Sequence, residues 1–584
     1  MDFNQYVATV RVLGLTAIGV LEIACASTPK RFAPRPPLAQ DSDLQSVSVP
    51  CHLESRPNDR RHVSCAPRPY VSPLAWDGID NSIFRPLSDS LAIRATHEAR
   101  NATSIDEVAD SAWFTNRIDV RSSSIDELRR GACEQAQFLD DADTNPGSWV
   151  IDQGKANGSS LGFRVSIPGK GRYLMKADPA DEPERSTAAT VIGAAVYRAV
   201  GFFTSCEQLV YFDPSVLQLT PGLRYEDNTG IVRDFDDAAL AHVLATTTKR
   251  GALVRMSASA WLPGYLIGPF RYEGTRDDDP NDAVPHEDRR ELRGSRLLAA
   301  WIDHADSREQ NTMDTWFAAR PDKPDSSPGV VRHYYLDTSD AFGSSWDWDE
   351  ISRRLGRSYL LDWGDIGSDF VTLGIPTRSW ERVHRVAGHE KFNYFDVATF
   401  DPEGWKNEYP NPAFSRMTER DGAWMARILA NFTPEMVRAL AEMGQFSDPT
   451  DTQFLADALE ARLVRILDRY LTRLSPLGVV HIEGGSALCA VDLARRRRVR
   501  EPAAFGYTAI ASNGQPLATT AREDGSVCVA LPSSAAAESN PPQYWVVSIN
   551  NLVAAGPLTV HLYDWGSAHG YQVVGVERKP PGDP

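Results

Sequence analysis

The chain has 584 residues, and its 61 lysines and arginines against 78 aspartates and glutamates give a formal net charge of −17 at pH 7. With 42% hydrophobic and 24% charged residues, the composition is that of globular domains and excludes a wholly disordered, collagen-like or coiled-coil chain. The acidic balance argues against a nucleic-acid-binding protein, and the length allows two to four domains.

The first segment predicts an export signal. Residues 12–21 form an apolar run after Arg11 that is too short to span a bilayer and is typical of the centre of a secretory signal. Small residues at 24–26 suit cleavage, so we expect residues 1–26 to be a signal peptide. The protein is then periplasmic, attached to the outer membrane, or extracellular. Two alternatives remain: a lipid anchor at Cys25, without a transmembrane span, or a buried N-terminal helix.

The next two stretches differ in composition. Residues 27–75 are rich in proline, serine and arginine, which predicts a mostly extended linker with a small looped piece near two cysteines. Residues 76–145 are polar, and we expect an N-terminal extension that is helical in part.

Seven cysteines are present, and six remain if Cys25 leaves with the signal or carries lipid. Six are enough for three disulfides. Cys51 and Cys65 are near enough in sequence to pair, as are Cys489 and Cys528; the alternative is six buried free thiols. No C-x-x-C motif or other metal-ligand spacing is present, so no zinc site is expected.

A glycine-rich hairpin opens the part of the chain that carries chemistry. Gly154, Gly158 and Gly162 surround a polar turn, residues 163–167 alternate as a strand does, and a second strand ends in Lys176. Glycines let a backbone approach phosphates closely, and a lysine supplies a point charge. These four residues are therefore candidate nucleotide-binding residues, although a strand, turn, strand and lysine are common in proteins of many kinds.

Residues 188–199 show helical spacing of apolar residues and precede Gly201, which fits a helix end. A kinase holds its strand lysine with a glutamate from this helix. None lies in the middle of the helix, and Glu182, Glu184 and Glu207 remain as alternatives.

Two acidic loops follow. A hydrophobic helix over residues 296–303 leads to Asp306 and, five residues on, Asn311. A carboxylate there can take a proton from an attacking hydroxyl, while an amide oxygen can bind Mg²⁺. The strand over residues 330–336 ends at Asp337, with Asp340 as a reserve for the same metal. The alternative role of all these residues is to form turns and cap helices.

The order of these elements resembles the atypical protein-kinase-like superfamily, which includes HipA-type toxin kinases, phosphatidylinositol kinases, CotH-type spore-coat kinases and secretory-pathway kinases. The sequence DSREQN (306–311) is similar to the D-R-H-x-x-N loop of the first two. The sequence DTSDAFG (337–343) is similar to the metal-binding D-x-x-x-x-F-G of the secretory kinases.

This resemblance implies a two-lobed kinase fold over residues 146–476, with ATP and Mg²⁺ or Mn²⁺ between the lobes. Lys176 would contact phosphates, Asp306 would be the catalytic carboxylate, and Asn311 and Asp337 would hold metal. The expected activity is phosphoryl transfer to a hydroxyl of an unknown protein or glycan acceptor. Two features depart from the family pattern: Ser307 and Arg308 stand where the D-R-H-x-x-N loop has Arg and His, and the helix glutamate is missing. They leave two alternatives: AMP transfer, or a non-catalytic, pseudokinase-like envelope protein that acts as a binding scaffold.

Between these motifs, residues 268–296 carry many charges. Arg289, Arg290, Arg293 and Arg296 recur at helical spacing, and we expect them in an ion-paired loop and helix beside the cleft. Recognition of an anionic substrate is the alternative.

The end of the chain changes character twice. Helical periodicity runs through residues 421–474, and residues 479–577 show short strands separated by turns, which predicts a β-sandwich or barrel. Residues 578–584 are expected to be a disordered tail. The predicted class is therefore α+β, with a two-lobed kinase-like region followed by an all-β domain.

Overall fold

The computed structural model describes a set of ranges separated by gaps: residues 31–56, 59–70, 74–92, 97–120, 123–139, 145–155, 160–180, 182–226, 231–323, 326–343, 362–533 and 541–579. The expected signal peptide, the candidate lipid anchor at Cys25, and Gly158 lie outside these described residues.

The N-terminal segment lies extended, as predicted, but it is bound along the protein instead of forming a free linker. The ring of Phe32 packs 4.7 Å from that of His561 in the C-terminal domain. Val47 and Gly329 exchange two backbone hydrogen bonds of 2.8 and 2.9 Å. Burial of such side chains offsets the entropy cost of fixing the segment. The elements up to residue 130 are β1 (His52–Arg56), β2 (Asp59–Ser64), α1 (Leu74–Ile79), α2 (Arg85–Leu91) and α3 (Ile125–Arg130).

The predicted hairpin belongs to a seven-stranded sheet. Alternate residues Phe163, Val165 and Ile167 are buried on one face, as the strand period requires. The elements here are β3 (Trp149–Lys155), β4 (Gly162–Ile167), β5 (Gly171–Lys176), α4 (Arg185–Val200), β6 (Phe203–Thr204), β7 (Glu207–Phe212), β8 (Leu217–Leu219), β9 (Arg224–Glu226), β10 (Val232–Asp234), α5 (Asp237–Thr246), β11 (Lys249–Arg250) and β12 (Leu253–Ala260). The sheet order is β11-β12-β5-β4-β3-β8, and β7 also pairs with β12.

Residues 261–264 connect this sheet to a second, four-stranded sheet and a group of helices. The elements are β13 (Tyr265–Gly268), α6 (Arg290–Ile302), β14 (Thr312–Ala318), β15 (Gly329–Tyr335), α7 (Trp363–Thr372), α8 (Pro412–Ser415), α9 (Glu419–Leu429), α10 (Pro434–Met443) and α11 (Pro449–Tyr470). The second sheet has the order β13-β14-β15-β6. Trp301 lies in the helical core and donates its indole N–H to the carbonyl of Leu459 at 2.8 Å. Of the helices that the structure describes, none combines the length and hydrophobicity needed to cross a bilayer.

The C-terminal domain is a β-sandwich. Its elements are β16 (Leu477–Glu483), β17 (Ala487–Asp492), α12 (Leu493–Arg496), β18 (Thr508–Ala511), β19 (Pro516–Leu517), β20 (Thr519–Ala521), β21 (Ser526–Ala530), β22 (Gln543–Asn550), β23 (Leu558–Asp564) and β24 (Tyr571–Arg578). Two sheets, β16-β17-β21-β20 and β19-β18-β22-β23-β24, share a core that includes Leu488, Val529 and Val560. The expected all-β domain and the α+β class are thus confirmed. Arg578, which the sequence assigned to a disordered tail, ends β24 and is buried; residues 580–584 lie outside the described residues.

Two arginines at the start of α6 form ion pairs within the protein. Arg290 lies 2.7 Å from Asp106 and 3.3 Å from Asp421. Arg293 lies 2.8 Å from Asp288, and both arginines are buried. The ion-paired interpretation is therefore confirmed for Arg290 and Arg293. Arg296 instead donates to the backbone carbonyls of Pro402, Glu403 and Trp405.

Candidate functional site

A row of opposed residues in the first sheet presents two lysines. Lys176 ends β5, and its Cα partners are Gly162 on β4 and Ser257 on β12. Lys155, at the end of β3, is the partner of Gly162 on the other side. Directly opposed residues of antiparallel strands point to the same face. The two lysines therefore rise from one face, on either side of a residue without a side chain.

The glycines of this region have packing reasons of their own. A Cβ atom at Gly162 would overlap the carbonyl oxygen of Met175, and one at Gly154 would overlap the ring of Phe235. Sheet packing thus accounts for both glycines, and contact with a nucleotide stays a prediction for them.

Lys176 and Asp337 meet although they are far apart in sequence. The ammonium of Lys176 donates to Oδ2 of Asp337 at 2.7 Å, and the backbone N–H of Ser339 donates to Oδ1 at 3.1 Å. Burial alone would raise the pKa of Asp337, but Lys176 and Ser339 hold it well below its usual range. The same ion pair raises the pKa of Lys176 against the effect of burial. The site thus contains a fixed cation beside a fixed anion.

The loop that carries Asp306 is tied to Asn311. The side-chain amide of Asn311 donates to the backbone oxygen of Asp306 at 2.6 Å and to its carboxylate at 3.0 Å. Nε of Arg308 lies 2.9 Å from the other carboxylate oxygen. Leu336, next to Asp337, donates its N–H to the carbonyl of Asn311 at 2.9 Å. The loop and the end of β15 are therefore one connected structure.

Asp340 holds this loop in place. Its carboxylate accepts the backbone N–H of Asp306 at 2.8 Å and lies 3.4 Å from Nε2 of His304. Burial, with a smaller contribution from Asp337, raises the pKa of Asp340 to about 7. These contacts fix the position of the loop around Asp306, and a metal-binding role for Asp340 stays a prediction.

His304 is a site residue that the sequence reasoning missed. Its Nδ1 lies 2.9 Å from the hydroxyl of Tyr197 on α4. Burial lowers the pKa of His304 to about 4, so the ring is neutral near pH 7. The sequence could have indicated His304, because it lies two residues before Asp306 in the same polar loop.

The glutamates considered as partners of Lys176 have different roles. Glu182 binds Arg185, and Glu184 binds Lys391 at 2.9 Å. Glu207 accepts from Ser259 at 2.6 Å, and burial raises its pKa to about 7. Its charge still contributes to the raised pKa of Lys176.

Lys155 is a second cation that the sequence reasoning missed. Its ammonium donates to the carbonyl of Ser160 at 2.6 Å. Burial, reinforced by repulsion from Lys176 and opposed by Asp337, lowers the pKa of Lys155 to about 8. Lys155 therefore lies within the electrostatic field of the same ion pair.

Helix α4 fixes the turn that follows Asp337. The hydroxyl of Thr338 donates to the carbonyl of Ala189 at 3.1 Å, and a Cβ at Gly193 would overlap the Thr338 side chain. The guanidinium of Arg185 donates to the carbonyl of Ala341 at 2.7 Å. The position of Asp337 thus depends on close packing of its turn against α4.

The donor groups fit a hard cation that also binds substrate. Asp337 has 31% of its side chain exposed, and Asn311 uses its amide nitrogen toward Asp306, which leaves the amide oxygen available. Among the described residues, Asp306, Asp337 and Asp340 do not form a compact cluster with all ligand atoms within 4.8 Å. Mg²⁺ is usually held by one or two carboxylates plus substrate phosphates, so a donor set limited to Asp337 and Asn311 is compatible with such a cation.

No protein-family model matches the sequence, and no curated protein matches it. The chain is similar to a solved structure described as the crystal structure of the Golgi casein kinase with Mn/ADP bound, at 11% sequence identity. The likeness covers 64% of this chain and 78% of that chain, with a TM-score of 0.28. At this TM-score the likeness establishes neither the fold nor the activity of this chain.

Proposed function

We propose that the protein is an exported, atypical kinase-like phosphotransferase that moves the γ-phosphoryl group of ATP to a hydroxyl acceptor, with Mg²⁺ or Mn²⁺. The observation that carries this proposal is the 2.7 Å contact between Lys176 and Asp337 beside the loop of Asp306 and Asn311. A cation for phosphate, an anion for metal and a carboxylate for the acceptor hydroxyl are thereby assembled in one polar site.

Binding of the nucleotide uses the charges already present. Asp337 and the amide oxygen of Asn311 would hold the metal, which would neutralise charge on the phosphates. Lys176 exchanges its carboxylate partner for phosphate oxygens. Lys155 projects from the same sheet face across Gly162, and a nearby polyphosphate restores its proton affinity. The two lysines thus support a chain of phosphates at two points.

Asp306 is the proton acceptor in the transfer step. As the acceptor oxygen bonds to the γ-phosphorus, the bond from that phosphorus to the bridging oxygen of ADP breaks, and the hydroxyl proton passes to Asp306. Two hydrogen bonds keep the Asp306 carboxylate oriented. Asn311 donates to that carboxylate, and the backbone N–H of Asp306 donates to Asp340. Positioning of this kind supplies most of the catalysis in phosphoryl transfer.

Three disulfides support the proposed export. Cys51–Cys65, Cys133–Cys206 and Cys489–Cys528 account for six of the seven cysteines. Disulfides persist in the periplasm and outside the cell and are rare in the cytosol. These disulfides support a location in the periplasm, on the outer membrane or outside the cell. The acceptor that we propose is a protein serine or threonine or a surface polymer.

Mass spectrometry of the full chain incubated with ATP and Mn²⁺ tests the reaction. We expect the mass of one phosphoryl group on the chain or on an added hydroxyl acceptor. Addition of AMP would replace this proposal with nucleotide transfer. The variant Asp306→Asn is expected to bind nucleotide but to transfer the phosphoryl group at least about 100-fold more slowly, because the proton acceptor is lost.

Binding of a fluorescent ATP analogue with Mn²⁺ tests the site itself. Asp337→Asn should weaken metal-dependent binding at least about tenfold. Asp234→Asn is the matched control, since its side chain is 82% exposed and lies outside the site. Equal binding by the wild type and Asp337→Asn, or no binding by either, would leave the non-catalytic scaffold as the better description.

A further inference from the structure

A second cluster of ligand-type side chains lies in the β-sandwich, away from the proposed active site. His481 and Glu483 are on β16 and Cys489 is on β17, and their ligand atoms all lie within 4.8 Å of one another. Cys528, on β21, is bonded to Cys489 in a disulfide. Its sulfur lies 3.5 Å from Oε2 of Glu483, and that of Cys489 lies 3.1 Å from the same oxygen.

A β-bulge in β16 brings these side chains to one face. The register is Gly478 opposite Val491 before the bulge and His481 opposite Cys489 after it. One extra residue in β16 lies between these pairs, and a shift of one residue moves every following side chain to the other face of a sheet. Without the bulge, Cys489 would oppose Val480 and not His481.

The strained backbone at the bulge contacts the ring of His481. Val479 has φ = +52°, a conformation that a β-branched residue rarely adopts. Its carbonyl lies 2.8 Å from Nδ1 of His481. A protonated Nδ1 that donates to this carbonyl leaves Nε2 with its lone pair, which is how proteins commonly orient a metal-binding imidazole.

We propose that His481, Glu483, Cys489 and Cys528 form a zinc site when the Cys489–Cys528 disulfide is reduced. Two thiolates, one imidazole nitrogen and one carboxylate oxygen are a tetrahedral donor set of the type that Zn²⁺ prefers. In the oxidised form the two sulfurs are bonded to each other and are not thiolates, which are the form that binds metal. The site thus couples the redox state of the sandwich to its metal content.

The chemical steps balance with a dithiol or phosphine as the reductant. A dithiol supplies two electrons and its own two protons and becomes a disulfide, while the Cys489–Cys528 bond breaks to give two thiols. With a phosphine, water supplies the two protons and its oxygen ends on the phosphine oxide. Binding of Zn²⁺ then releases the two thiol protons to water. His481 and Glu483 are exposed, so the ion can reach the site from solvent.

Arg522 competes for one of the ligands. Its guanidinium lies 3.3 Å from both carboxylate oxygens of Glu483, with about half of each side chain exposed. Removal of this charge frees the carboxylate for a cation. Arg522→Gln should therefore strengthen metal binding, which is the opposite of the effect of removing a ligand.

The test is a Co²⁺ titration of the full chain before and after reduction with a phosphine. We expect the reduced protein to bind one Co²⁺ per chain, with a thiolate-to-cobalt charge-transfer band and the visible bands of a tetrahedral site, and Zn²⁺ to displace the Co²⁺. The oxidised protein should show neither the charge-transfer band nor the visible bands. Equal binding before and after reduction, or no thiolate band after it, would overturn the proposal.

Variants identify the ligands. His481→Gln and Glu483→Gln alter exposed residues and leave the sandwich core intact; each should weaken Co²⁺ binding at least about tenfold. Cys489→Ser/Cys528→Ser should abolish the charge-transfer band while the other two cysteine pairs stay available. Persistence of the band in this double variant, or unchanged affinity in both glutamine variants, would assign the metal to other cysteines and reject the site.

Discussion

The carboxyl group of Asp306 determines how the proposed activity should depend on pH. Burial is the largest influence on it and raises its pKa from 3.8 to about 6. A general base works only when it is deprotonated. We therefore expect kcat/KM to fall as the pH drops through about 6, whereas an ordinary aspartate would stay active to about pH 4. A pH profile of phosphoryl transfer measures this acidic limb.

Arg308 provides a check on that assignment. Its charge, 2.9 Å from the carboxylate of Asp306, lowers the pKa that burial raises. Arg308→Gln should move the acidic limb to higher pH. Arg320→Gln removes an exposed arginine paired with Asp322 and should leave the limb unchanged. A limb that stays in place in Arg308→Gln would mean that another group titrates.

At the scale of elements, the contact between α4 and the turn after Asp337 sets the site geometry. A methyl group at Gly193 would overlap Thr338, and overpacking of this kind costs about 1–3 kcal/mol. We expect Gly193→Ala to weaken nucleotide binding and to lower the stability measured by chemical unfolding. Gly367→Ala, in the exposed helix α7 with open space around the new methyl, should be neutral or stabilise by about 0.5–1 kcal/mol. Normal binding by Gly193→Ala would show that the turn does not depend on α4.

At the scale of the whole molecule, Asp106 joins parts that are distant in sequence. Its carboxylate lies 2.7 Å from Arg290 on α6 and 2.7 Å from Arg578 on β24, and Arg427 on α9 lies 3.7 Å away. Burial alone would raise the pKa of Asp106, but these arginines hold it well below its usual range. One buried anion therefore helps to hold the sandwich against the helices.

Removal of that anion should loosen the molecule. Asp106→Asn removes a carboxylate that three buried arginines share. Breaking a buried ion pair typically costs about 3–5 kcal/mol. Asp106 has φ = +62°, which asparagine also tolerates, so the effect comes from charge. The midpoint of chemical unfolding should fall clearly in Asp106→Asn and stay unchanged in Asp234→Asn. Equal midpoints would show that the network adds no stability.

Local patterns predicted the elements well because each depends on neighbouring residues. Alternation over residues 163–167 indicated β4, and the apolar spacing of residues 188–199 indicated α4, which begins three residues earlier. The Cys51–Cys65 and Cys489–Cys528 pairings are confirmed, and both join cysteines close in sequence. Periodicity and short separation are properties that a sequence displays directly.

Contacts between distant segments could not be predicted in the same way. The sequence order suggested that Lys176 and Asp337 share a site, but their separation of 161 residues gives no geometric restriction. Lys155 and the binding of residues 31–56 and 59–70 along the protein were missed for the same reason. Each depends on which surfaces pack together and not on any local pattern.

The amino-acid sequence by itself determined the α+β composition, the hairpin that ends in Lys176, the loop of Asp306 and Asn311, and the terminal β-domain. Only the tertiary structure decided that Asp337 reaches Lys176, that Asp340 binds the backbone of Asp306, and that a bulge turns His481 toward Cys489. The physical reason is that backbone preferences act over a few residues, whereas the position of a charge or ligand is set by packing across the whole chain.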